Sequence, residues 1–174
     1  MVRRFLAGGL MLLALSTAAP ADDKPAAKAQ AGLEKMKKLA GTWVMADKDG
    51  KPTDKVVSVI KVTAGGSAVQ ETLFPGQAQE MVSVYHLDGG DLVMTHYCML
   101  GNQPKMKADP KSPKDQIKWL FAGGTNFNPA KDMHMHEGTL TFVDDDHIEF
   151  SGVAWVGGKP AESHCATMRL VRKK

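Results

Sequence analysis

Two short stretches hold most of the side chains able to do chemistry. Along Asp91 to Leu100, strand-like alternation sets Met94, His96 and Cys98 on one face and Val93, Thr95, Tyr97 and Met99 on the other. Imidazole and thiol on a common face form a soft nitrogen and sulfur pair. In Met133-His134-Met135-His136-Glu137, an extended chain puts His134 and His136 on one face. Two imidazoles at i and i+2 on a strand can chelate a metal, and a third nitrogen from His96 or His164 would complete a three-nitrogen zinc site. The thioethers of Met133 and Met135, with the Cys98 thiol, would instead favour copper(I), because soft sulfur ligands select soft ions. Against this metal set of His134, His136, His96 and Cys98 stands a simpler role. Histidines near strand ends often bond backbone carbonyls, and methionines commonly fill barrel cores.

The loop after the first stretch, Gly101-Asn102-Gln103-Pro104, offers two side-chain amides and a rigid turn, a position suited to touching a ligand. His96, Tyr97, Asn102 and Gln103 are therefore the candidate ligand contacts. His96 and Tyr97 are alternatives, because only one strand face can line an interior. No catalytic motif accompanies them. Ser83, Ser151 and Ser163 lack a G-x-S-x-G elbow, and no G-x-x-x-x-G-K loop for phosphates is present. Glu71, Glu80 and Glu149 would be acids if they faced inward, but spacing alone does not place them there. His164 and Cys165 are adjacent and so face opposite sides of their strand.

The elements that must position these residues are mostly short β-type runs. Leu33, Met36 and Leu39 or Ala40 recur at helical spacing, with Gly41 where a helix would stop, so a short amphipathic helix is expected over 33–40. Residues 22–32, rich in Ala and Lys, are expected to be a flexible leader. Beyond Gly41 nine strands are expected: 42–46, 55–63, 68–74, 80–87, 91–100, 116–121, 136–143, 147–156 and 164–171. Gly, Asp, Pro and Asn clusters separate them. Hairpin-length links without intervening helices argue for an antiparallel meander. Closure into an up-and-down β-barrel of about eight to ten strands removes the exposed edges and leaves an interior that side chains fill or that holds one small ligand. The fold class expected for 33–174 is thus an all-β, single-domain antiparallel barrel with a short N-terminal helix.

A short helix running into Gly41-Thr42-Trp43 on the first strand, then a meander and a last strand bearing a basic residue, resembles the lipocalin and wider calycin group. That resemblance implies that Trp43 packs across the closed end of the barrel beneath a basic residue of the final strand. Arg169 is the matching candidate, in a cation–π contact. Thr95-His96-Tyr97-Cys98, with Gly101-Asn102-Gln103-Pro104 and His134-Met135-His136, is also similar to a group of small exported bacterial proteins. This second resemblance implies a lipocalin-like fold and carries no activity with it.

Residues 1–21 have the layout of a secretory signal peptide: Arg3 and Arg4, an apolar run from Phe5 to Leu15, and small residues ending in Ala19-Pro20-Ala21. The apolar run is about half of the roughly 20 residues that span a bilayer, so no stable membrane span is expected after processing. A secreted or periplasmic protein is expected. In an oxidising compartment Cys98 and Cys165 can pair, and two separately buried thiols are the alternative. Of the formal charge of +3, two units belong to Arg3 and Arg4. No basic block of the kind nucleic acid requires is present. The lysines at 105, 107, 111, 114 and 118 read as a solvated surface. The function expected is binding of a small, mainly apolar molecule inside the barrel. The alternatives are a periplasmic copper or zinc protein using His, Met and Cys ligands, and a filled barrel acting as a structural or interaction module.

Overall fold

A computed structural model describes residues 24–174, with the side chains of 24–25 and 162–166 outside the description. The proposed signal peptide lies outside the described residues. Helix α1 (Lys24–Lys38) starts well before the apolar period does. Ala and Lys between 24 and 31 carry high helix propensity, and Pro25 is tolerated in a first turn, so the Ala and Lys stretch continues the helix instead of forming a loose leader. Leu33, Met36 and Leu39 are buried. The helix packs against the strands so closely that a Cβ on Gly32 would stand 2.9 Å from Leu92 Cδ2.

Ten strands follow: β1 (Gly41–Ala46), β2 (Pro52–Thr63), β3 (Ala68–Leu73), β4 (Met81–Asp88), β5 (Asp91–Tyr97), β6 (Gln103–Ala108), β7 (Gln116–Thr125), β8 (His134–Phe142), β9 (His147–Val156) and β10 (Lys159–Arg172). Each pairs antiparallel with its neighbours in sequence, and β1 pairs with β10, so the sheet is a closed up-and-down barrel. The strand absent from the sequence expectation is β6. Its apolar positions are only Pro104, Met106 and Ala108, separated by exposed Lys105 and Lys107, and a register shift after Pro104 accommodates the proline.

Because neighbouring strands run in opposite directions, the barrel has two different ends. Helix α1, the β4–β5 turn, the β8–β9 turn and the C-terminus share one end. There Lys28 bonds the carbonyls of Pro110 and Ser112, and Lys35 bonds that of Lys114. The other end carries the connections at 47–51, 74–80, 98–102, 126–133 and 157–158.

At the helix end Trp43 is fully buried, and its indole N–H donates to the Leu39 carbonyl at 2.8 Å. The cation over its ring belongs to Arg172, with Cζ 4.4 Å from the ring centroid, which corrects the assignment to Arg169. The antiparallel register explains the difference. Trp43 lies near the start of β1, so its partner must come from the end of β10, and that partner is Arg172. In β10 the buried Leu170 and half-buried Met168 share Arg172's parity. Arg169 points the other way and pairs with Glu149 at the surface, 3.0 Å away. The Arg172 guanidinium also donates to the carbonyls of Lys38 and Ala40, satisfying acceptors that the end of α1 leaves unpaired.

Candidate functional site

The barrel is hollow. A cavity of about 420 Å³ runs from Met36 and Leu39 of the helix plug to Met99 and Leu100 on the β5–β6 hairpin. Its wall is mostly apolar, with Ile60, Met94, Trp119 and Leu140 among the lining residues. This follows from the period of two, because alternate residues of each strand face inward and carry the hydrophobic set. At the mouth Met99 and Leu100 are more than half exposed, leaving an apolar lip. A smaller cleft of about 200 Å³ lies outside, between α1 and the β6–β7 connection.

One side of the cavity is polar. Glu71 on β3, Ser83 on β4 and His96 on β5 stand directly opposite one another in register and form a row across three strands. Ser83 Oγ lies 2.9 Å from His96 Nδ1. Beside this row, the Tyr85 hydroxyl donates to Glu71 Oε2 at 2.5 Å and the Ser58 hydroxyl donates to Oε1 at 2.6 Å. Among the described residues, the ionisable groups on the cavity wall are Glu71, Tyr85, His96, Cys98 and His134, and no lysine or arginine joins them.

Enclosure pushes Glu71, Tyr85 and His96 toward their uncharged forms. Burial raises the Glu71 carboxyl above its ordinary range, opposed by the hydrogen bonds from Ser58 and Tyr85. Burial, and then the neighbouring Glu71, raise the Tyr85 hydroxyl. Burial alone pushes the His96 imidazole down to about 4, so it is neutral at pH 7. The arrangement offers hydrogen bonding to a guest without a fixed positive charge.

The sequence candidates are placed unevenly. His96 and Cys98 face the cavity, and Cys98 has no disulfide partner among the described residues. Tyr97 faces away, half exposed. Asn102 is buried but holds the loops together: its side-chain amide donates to the Met133 carbonyl at 2.8 Å, and its own carbonyl accepts from the Cys98 amide. Gln103 accepts from the Thr125 hydroxyl and the Asn126 amide. Tyr97, Asn102 and Gln103 are not part of the cavity wall.

His134 and His136 are brought together, but to each other. His134 Nε2 lies 2.9 Å from His136 Nδ1, and His134 Nδ1 bonds the Asp132 carbonyl. The His136 ring is stacked between Trp155, centroids 3.8 Å apart, and Phe121 at 4.5 Å. Burial, with the neighbouring His134, lowers the His136 imidazole below its ordinary value. His96 is engaged with Ser83 instead. Among the described residues no group of three or more His, Cys, Asp or Glu is gathered to hold a metal ion. The side chains of His164 and Cys165 lie outside the described residues.

From sequence Glu71 is a candidate inward acid, whereas Ser83 and Tyr85 are not singled out as cavity groups. A signal did exist. Within Val69-Glu71-Leu73 and Met81-Ser83-Tyr85, polar groups interrupt same-face apolar stripes, which on a buried face demands a hydrogen-bond partner. No known protein-family model matches this chain, and no curated protein matches it.

Proposed function

We propose that this protein is an exported binding protein that holds one small, mainly apolar molecule inside its barrel, in the manner of the calycin group it resembles. The observation that carries this reading is the cavity of about 420 Å³, plugged by α1 at one end and lipped by Met99 and Leu100 at the other. A largely apolar, enclosed space with a few convergent polar groups is the usual form of a small-molecule site, and this volume falls in the usual range of roughly 300–1,000 Å³. The signal-peptide pattern of residues 1–21 supports the exported half of the proposal.

Native mass spectrometry of protein purified from its own host should show a bound species of defined mass. Ala154, on the cavity wall, offers the matching control. Ala154→Phe should abolish that species, and uptake of the uncharged dye Nile red, in a protein that retains its strand circular dichroism. A protein that carries nothing from its host and takes up no dye would overturn the proposal.

A further inference from the structure

Resting on that reading, we infer that the cavity takes uncharged apolar molecules bearing a single hydroxyl and rejects their carboxylates, with Glu71 as the discriminating residue. A buried ligand carboxylate needs a positive partner or several donors to offset its lost hydration. The cavity wall supplies neither. No lysine or arginine lines it among the described residues. The nearest hydroxyl donors, Ser58 and Tyr85, are already spent on Glu71 at 2.6 and 2.5 Å. Ser83 and His96 bond each other, which leaves one donor of the pair free, fewer than a buried carboxylate needs.

Glu71 itself makes an anionic guest worse. Glu71 is half-buried and lines the cavity. A second carboxylate beside it would force two like charges into one low-dielectric space, or force one of them to remain protonated. An alcohol escapes both costs. Its hydroxyl can donate to a free lone pair of the Glu71, Ser83 or Tyr85 oxygens, while its chain covers the apolar wall.

The test uses three probes of one chain length, 1-octanol, octanoate and octylamine, in calorimetric titration and Nile red displacement at pH 7.5. On wild-type protein octanol should bind at least about tenfold more tightly than octanoate. In Glu71→Gln that ratio should fall severalfold through tighter octanoate binding, with strand circular dichroism retained. Octanoate binding the wild type as tightly as octanol, octylamine outcompeting octanol about tenfold, or an unchanged ratio in Glu71→Gln would each overturn the inference while leaving the hollow-barrel reading intact. Failure of all three probes to bind or to displace bound Nile red would overturn the inference, and failure of the protein to take up Nile red at all would overturn both.

Discussion

The Tyr85 hydroxyl stands 2.5 Å from Glu71 Oε2, joining β4 to β3 across the cavity wall. A bond to an ionisable, enclosed carboxyl is among the stronger kinds, and losing its donor leaves a desolvated acceptor. Tyr85→Phe should therefore cost about 1–3 kcal/mol in urea unfolding at pH 7. The cost should also depend on pH. Glu71 already has its folded-state carboxyl raised by burial, so it contributes stability at low pH that is lost as pH rises through that raised value. Removing Tyr85's bond raises it further, so the variant should lose more against wild type at pH 8 than at pH 4. An equal loss at both would show that the hydroxyl does not govern Glu71.

How much of this was legible in the sequence depends on whether the information is local. The strands show themselves through a period of two punctuated by Gly and Asp turns, so the meander and its closure follow from sequence. The strand β6 hides because Lys105 and Lys107 face out and Pro104 contradicts a strand. The extra turns of α1 hide because Ala and Lys between 24 and 31 give propensity without an apolar stripe. For the site, the limit is strand facing. His96 and Tyr97 are equivalent until closure decides that His96 faces in. Arg169 and Arg172 cannot be told apart until the β1–β10 register is known. The row of Glu71, Ser83 and His96 spans three strands, so its residues become neighbours only through cross-strand pairing that no local pattern encodes.

Arg172 and Arg169 make a matched comparison. Arg172 combines the contact over Trp43 with donation to the carbonyls of Lys38, Ala40 and Asp145, tying the helix plug to the last strand. Arg172→Leu should cost about 2–3 kcal/mol, adding a cation–π contact to lost charge-assisted bonds. Arg172→Lys should recover little of it, since an ammonium cannot reproduce the planar fork of donors. Arg169 is a largely exposed partner of Glu149, and Arg169→Ala should change stability by less than about 1 kcal/mol. Equal losses for the two alanine or leucine variants in urea unfolding would contradict the assignment.

His96 predicts an acid sensitivity with a defined window. Its folded-state imidazole is pushed down to about 4, from 6.5 for the ordinary group. The unfolded chain therefore binds more protons than the folded one between those values. The stability tied to a neutral His96 is fully present above pH 6.5 and is lost as pH falls toward 4. Over pH 7.5 to 4.5 the loss amounts to about 2–3 kcal/mol. His96→Gln keeps a polar side chain but removes the titration, so wild type and variant should converge in stability by that amount on acidification. Parallel pH profiles for the two proteins would exclude this role for His96.

His134 and His136 separate a structural from a metal-binding role. His134 is fully buried, its ring packs on Phe121 and Phe127 with centroids 4.9 and 4.7 Å away, and both ring nitrogens have partners. A metal bound by this pair would have to displace the 2.9 Å contact between the two rings and pull His136 from its stack on Trp155. The stability of the protein should therefore owe nothing to metal. Melting should be unchanged by excess EDTA and unchanged by added zinc or copper(I), whereas a site binding the folded state would raise the melting point with ligand concentration. His134→Ala should cost about 2–4 kcal/mol, because it opens a cavity beneath Phe121 and Phe127 and strands the Asp132 carbonyl. A melting point that falls with EDTA and is restored by one equivalent of metal would instead make the pair a ligand set, and His134→Ala would then abolish that restoration.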